Sequence, residues 1–151
     1  MFVSQKSRYA LRAIFELARR NGNGNEPVKI GEIARAQAIP PRFLEVILSQ
    51  LKQAGFVDSK RGNEGGYYLT ASPDKLTIGD VLNFLQGPVD PVGCLSNDNK
   101  DNCPLKEDCV FLPMWERVKG AVSEIYDNTT FQDLVEQERR KAQGYVPNYF
   151  I

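Results

Sequence analysis

A mainly α-helical chain with one small β-hairpin is the fold class this sequence predicts, and three observations lead there. Apolar side chains recur at 3.6-residue spacing in several separate stretches. Only one pair of short runs, 56–60 and 66–70, has strand character, and it brackets the glycine-bearing turn Arg61-Gly62-Asn63-Glu64-Gly65. Capping residues and prolines punctuate the helical stretches where helices start. With 151 residues, such a chain buries roughly 70% of its unfolded surface, enough for a proper core.

Residues 4–20 place Tyr9, Ala10, Ala13, Ile14, Leu17 and Ala18 on one face, with basic side chains elsewhere, which predicts an amphipathic first helix. It runs into the turn cluster 21–25, after which 30–36 forms a short second helix. Ile39 follows a tight turn. Pro40-Pro41 then opens a third helix, because proline lacks only an N–H that the first turn leaves unpaired, and Phe43, Leu44, Ile47, Leu48 and Leu51 supply its buried stripe. Gly55 stops it. The order helix, helix, turn, helix, hairpin is the winged helix-turn-helix plan, and it occupies residues 1–75.

The second half, 76–151, is helical again. Thr77 and Asp80 form a capping box for a helix carrying Ile78, Val81, Leu82 and Leu85, which breaks at Gly87-Pro88. A linker rich in Asn, Asp, Gly and Pro leads to Cys103. A long helix follows, about Pro104 to Tyr126, with Val110, Met114, Val118 and Val122 as its stripe and Phe111, Trp115 and Ile125 widening it. Its regular part starts near Pro113, where proline fits a first turn. Thr130 and Asp133 cap a last helix to about Lys141, and the tail beyond is expected to fray.

Composition narrows the function. Histidine is absent, which removes His-based triads, imidazole general bases and His-ligated zinc. With no phosphate-cradling loop or dinucleotide fingerprint either, the chain reads as no enzyme. No apolar run approaches a membrane span and the N-terminus has no signal-peptide core, so no membrane partner and a cytoplasmic location are expected. The net charge is zero, but residues 1–75 hold 12 Lys and Arg against 7 Asp and Glu, a surplus the second half reverses. The basic half is the winged one.

Two constellations carry chemistry. A recognition helix presents its N-terminal residues to base edges, which makes Arg42, Glu45 and Ser49, beside Pro41, the candidate readers of double-stranded DNA. Glu45 suits a cytosine amino group. In the wing, Lys60 and Arg61 precede a loop whose glycines, Gly65 among them, let the backbone approach a phosphate or enter the minor groove. The second constellation is Cys94-x8-Cys103-x5-Cys109, the three cysteines of the chain. An odd count argues against a disulfide framework, and three thiolates on a Gly/Asp/Asn loop suit a soft metal or an iron-sulfur cluster. Bare redox thiols, or zinc in a protein-interaction module, are the alternatives, and a fourth ligand is unmatched.

Together these residues resemble the IscR/NsrR-type family of bacterial winged-helix transcription regulators over nearly the whole chain. The matches are Ser4-x-Lys6-x-Arg8-Tyr9-Ala10-Leu11, Phe43-Leu44-Glu45-x-Ile47-Leu48-x-x-Leu51, Arg61-Gly62-x-x-Gly65-Gly66-Tyr67, Thr77-Ile78-Gly79-Asp80-Val81, Cys103-Pro104-Leu105-x-x-x-Cys109 with Trp115, and Thr130-x-x-Asp133-Leu134-Val135. The resemblance implies a homodimer, held by the long helix after the cysteines, on a partly palindromic operator. It also implies a 2Fe-2S or 4Fe-4S cluster on Cys94, Cys103 and Cys109, whose loss or damage by oxygen, nitric oxide or iron shortage is the signal; other members lack it and would sense through thiols or a small effector. Two departures bear on the cluster: Leu112 stands where some relatives have a ligating His, and Arg8 where others have an Asp.

Overall fold

A computed structural model describes residues 3–21, 26–96 and 103–144. Helix α1 (Gln5–Arg19) starts at Ser4, whose hydroxyl accepts the Ser7 N–H at 3.1 Å. Helices α2 (Ile30–Gln37) and α3 (Pro41–Gln53) follow, then strands β1 (Val57–Lys60) and β2 (Gly66–Leu69), then α4 (Ile78–Gln86). Two single 3₁₀ turns, Gly93–Leu95 and Lys106–Asp108, flank the middle of the cysteine loop. Helices α5 (Leu112–Asn128) and α6 (Phe131–Ala142) complete the described chain. The mainly α fold with a small hairpin is as expected. Most of the turn cluster, the centre of the linker and the tail expected to fray lie outside the described residues.

The core is built where helical periodicity puts it. Ala10, Ala13, Ile14 and Leu17 of α1 meet Ile33 of α2, Leu44, Ile47, Leu48 and Leu51 of α3, and Val81 and Leu82 of α4. Val57 and Leu69, facing each other across the antiparallel hairpin, close one side. Phe131 and Val135 of α6 return to this same core, and the Phe131 N–H bonds the Leu76 carbonyl at 3.0 Å. Both capping boxes form, Thr77 with Asp80 and Thr130 with Asp133, and a β-bridge between Thr77 and Thr130 sets the two helix starts side by side.

Several residues expected in apolar stripes are exposed instead, Phe111, Met114 and Ile125 of the long-helix stripe among them. Phe43 is 46% exposed, because Leu44, Ile47, Leu48 and Leu51 already fill the inner face of α3 and Phe43 falls at its edge, stacked on Tyr9. Val110 is not on the long helix: α5 begins two residues later, with Pro113 in its first turn, and Val110 is 83% exposed. No residue of α5 is buried. Among the described residues no helix is long and apolar enough to cross a membrane.

Candidate functional site

The exposed face of α3 starts at its first turn. Pro41 sits there as expected, and Arg42, Glu45 and Ser49 are all exposed on one stripe, at intervals of three and four residues. The Arg42 guanidinium lies 4.8 Å from the centre of the Phe43 ring, a cation-π contact that holds it at the helix start. Val46 is exposed on the same stripe.

The turn that aims α3 is held from α1. Ala38 adopts φ +51°, a left-handed conformation that costs a non-glycine residue about 1–2 kcal/mol. Arg12 donates to the carbonyls of Gln37 and Ala38, and the Gln37 amide donates to Glu16 at 2.8 Å. Glu16 is fully buried, and it also accepts from Arg19 at 2.7 Å and Arg20 at 2.6 Å. Burial alone would push its carboxyl up, but the hydrogen bonds from Arg19, Gln37 and Arg20 outweigh that and hold its pKa below the ordinary carboxylate value. Sequence reasoning passed over Glu16. Its pairing with Arg19 and Arg20 at i+3 and i+4 was visible there, whereas the Gln37 partner was not.

The wing stands beside α3. Lys52, in the last turn of α3, reaches Ser59 of β1 at 2.7 Å and Asp58 at 3.5 Å, tying helix and hairpin together. Lys60 and Arg61 are exposed, with the Lys60 ammonium 5.7 Å over the Tyr68 ring. Gly65 is buried in the turn: a Cβ there would collide with the Lys60 carbonyl. At Gly66, φ is +154° and a Cβ would strike the Val28 carbonyl, because Val28 and Tyr67 exchange backbone bonds that bridge a third segment to the hairpin. The glycines thus fix the wing's path while leaving Lys60 and Arg61 free to solvent.

The cysteine loop is a separate place. Cys94 lies in the 3₁₀ turn Gly93–Leu95, Cys103 is exposed, and Cys109 stands three residues before α5, its carbonyl accepting the Leu112 N–H at 3.3 Å. All are free thiols. Lys119 of α5 holds the first arm of the loop, donating to Asp90 at 2.7 Å and to the Leu95 carbonyl at 3.4 Å. Thiolates are the donors an iron-sulfur cluster takes, four as a rule, and the three cysteines supply all but one. Among the described residues, however, no three His, Cys, Asp or Glu side chains gather into a metal-binding group. The donor type fits, one ligand short, and the three thiols are not gathered.

The sequence model of the Rrf2 family, described as an iron-dependent transcriptional regulator, matches residues 3–137. The HTH-type transcriptional regulator CymR of Bacillus subtilis is 36% identical over 97% of this chain and 98% of its own. The solved structure of CymR, described as the global cysteine regulator of B. subtilis, superposes with a TM-score of 0.74 at 37% identity, covering 91% of this chain and 98% of that one. The structure of IscR from T. potens superposes with a TM-score of 0.71 at 30% identity, covering 99% and 95%.

Proposed function

The chain belongs to the Rrf2 family of transcriptional regulators, and from that premise we propose that it is a homodimer that reads a double-stranded DNA operator, with an iron-sulfur cluster on Cys94, Cys103 and Cys109 setting its affinity. In this reading residues 1–75 are the DNA-binding region and 76–151 the cysteine loop and dimerisation region. The observation that carries it is the exposed stripe Arg42, Glu45, Ser49 of α3 together with the exposed cations Lys60 and Arg61 of a wing that Lys52 ties to that helix.

Arg42 serves as a base or phosphate contact and Glu45 as an acceptor for a cytosine amino group. Lys60 and Arg61 neutralise phosphates from the wing, whereas Gly65, expected to approach the sugar-phosphate chain itself, is buried and serves to close the turn that carries them. The dimer reading is supported by α5, a 17-residue helix with no buried side chain, on which Ile125 is 64% exposed, preceded by Phe111 at 60%. An uncovered apolar surface of that kind is the mark of a partner. Two α3 helices must then meet successive major grooves, about 34 Å apart.

When bound, the cluster would supply an iron-thiolate centre sensitive to oxygen, nitric oxide and iron supply. Lys119 ties the Cys94 arm to α5, and Cys109 abuts its first turn, so a change in the state of the thiols bears on the helix assigned to dimerisation. The similarity to CymR, described as a global cysteine regulator, favours one second reading: a thiol or small-effector sensor on the same DNA-binding frame.

Protein purified without oxygen separates the two. A brown protein with matched iron and acid-labile sulfide supports the cluster; a colourless, iron-free protein after attempted reconstitution overturns it in favour of the second reading. DNA reading is tested by salt. About six phosphate contacts per dimer predict that log K falls against log salt with a slope of about −5, and a flat response would remove operator binding.

A further inference from the structure

Val46 is the one apolar side chain at the centre of the α3 stripe. It lies four residues after Arg42, next to Glu45 and three before Ser49, and it is 57% exposed. A lone exposed valine needs no explanation. This one is continuous with the half-exposed Phe43 ring, and both line an open apolar concavity of about 410 Å³ completed by Tyr9, Ile47 and the stems of Gln5 and Lys6. Cations border it: Lys6 contributes to the lining and the Arg42 guanidinium lies over Phe43. The surface therefore offers an apolar contact set within positive charge. In a DNA major groove, phosphates flank base edges that are polar throughout except for one group, the C5 methyl of thymine. A β-branched valine, stiff at χ1, presents its methyls without further ordering.

We propose that Val46, with Phe43 beside it, reads a thymine methyl in each half-site, adjacent to the base that Glu45 contacts. The proposal rests on the reading of α3 as the groove-entering helix and assigns it a contact, to the methyl, that no hydrogen-bonding group makes.

The test uses the full chain and duplexes that it selects from a randomised pool. Each thymine of the selected sequence is replaced by deoxyuridine, which removes only the methyl, and affinity is measured at one fixed salt concentration. One position per half-site should weaken binding about fourfold on losing its methyl, and about fifteenfold when both half-sites are stripped. Val46→Ala, a change at an exposed site that leaves the core intact, should bind thymine and deoxyuridine duplexes alike, whereas Glu45→Ala should still tell them apart. A wild-type protein indifferent to every methyl, or a Val46→Ala variant as sensitive as wild type, overturns the proposal while operator binding stands. Val46→Ala dissociating the dimer without changing methyl sensitivity also overturns it and makes the patch a protein contact. Failure to select any duplex removes the groove-entering role of α3 and the proposal with it.

Discussion

Helices α3 and α5 look alike as sequence: each has proline in its first turn and an apolar stripe at helical spacing. In the fold they differ completely. α3 buries Leu44, Ile47, Leu48 and Leu51 against α1, while the longer α5 buries nothing and rests on α4 along one side. Periodicity announces that a helix has a face to cover and says nothing of what covers it. For α3 the cover is the chain's own core, which leaves the opposite face free to carry Arg42, Val46 and Ser49. For α5 the described residues supply too little, and the face is the one assigned to a second copy.

The sharpest way to break this contrast is Leu48→Ala, which should cost about 2–5 kcal/mol in denaturant unfolding, since Leu48 is wholly buried. A loss comparable to that of a surface change would mean that α3 is not anchored as described.

Glu16→Gln comes next, with an expected cost of about 1–3 kcal/mol at neutral pH, because the buried carboxylate holds Arg19, Arg20 and, through Gln37, the turn into α3. Its folded-state pKa is depressed, so its contribution is present above the ordinary carboxylate pKa and is lost as pH falls below that value through the folded one. The stability gap between wild type and variant should therefore be widest near neutrality and narrow in acid. A gap independent of pH would show that the charge is not what matters.

Thr130→Ala probes how α6 is brought back to the core. Loss of its hydroxyl bond to the Asp133 N–H should cost about 1 kcal/mol, read from the thermal midpoint. Ile125→Glu should change least and reveal most. At dilutions where the wild type is monomeric, its unfolding free energy should shift by less than about 0.5 kcal/mol. Sedimentation at higher concentration should nevertheless show monomer where the wild type is dimeric, and an unchanged dimer would locate the partner contact away from α5.

Much of this was legible in the sequence because it depends on near neighbours. Both capping boxes, the start of α5 near Pro113 and the inner stripe of α3 follow from close neighbours in the chain. The exposure of Phe43 and Val110 was not legible. One depends on how much of α3's face α1 can cover, the other on where α5 begins after the Lys106–Asp108 turn. The site divides in the same way. Arg42, Glu45, Ser49, Lys60 and Arg61 were visible as exposed positions on a helix and a turn, whereas Val46 became noticeable only once Tyr9 and Lys6 of α1 stood beside it.

By itself, the sequence determined the helices, the hairpin and the three-thiol donor set, since local hydrogen bonding, side-chain periodicity and residue chemistry need no distant partner. The tertiary structure decided the rest: that Arg12 and Glu16 hold the left-handed Ala38 turn, that Phe131 and Val135 of the second half complete the core of the first, and that no side chain of α5 is buried among the described residues. Those outcomes depend on which surfaces lie within a few ångströms once the chain has closed, and burial is a property of that closure rather than of any stretch of residues.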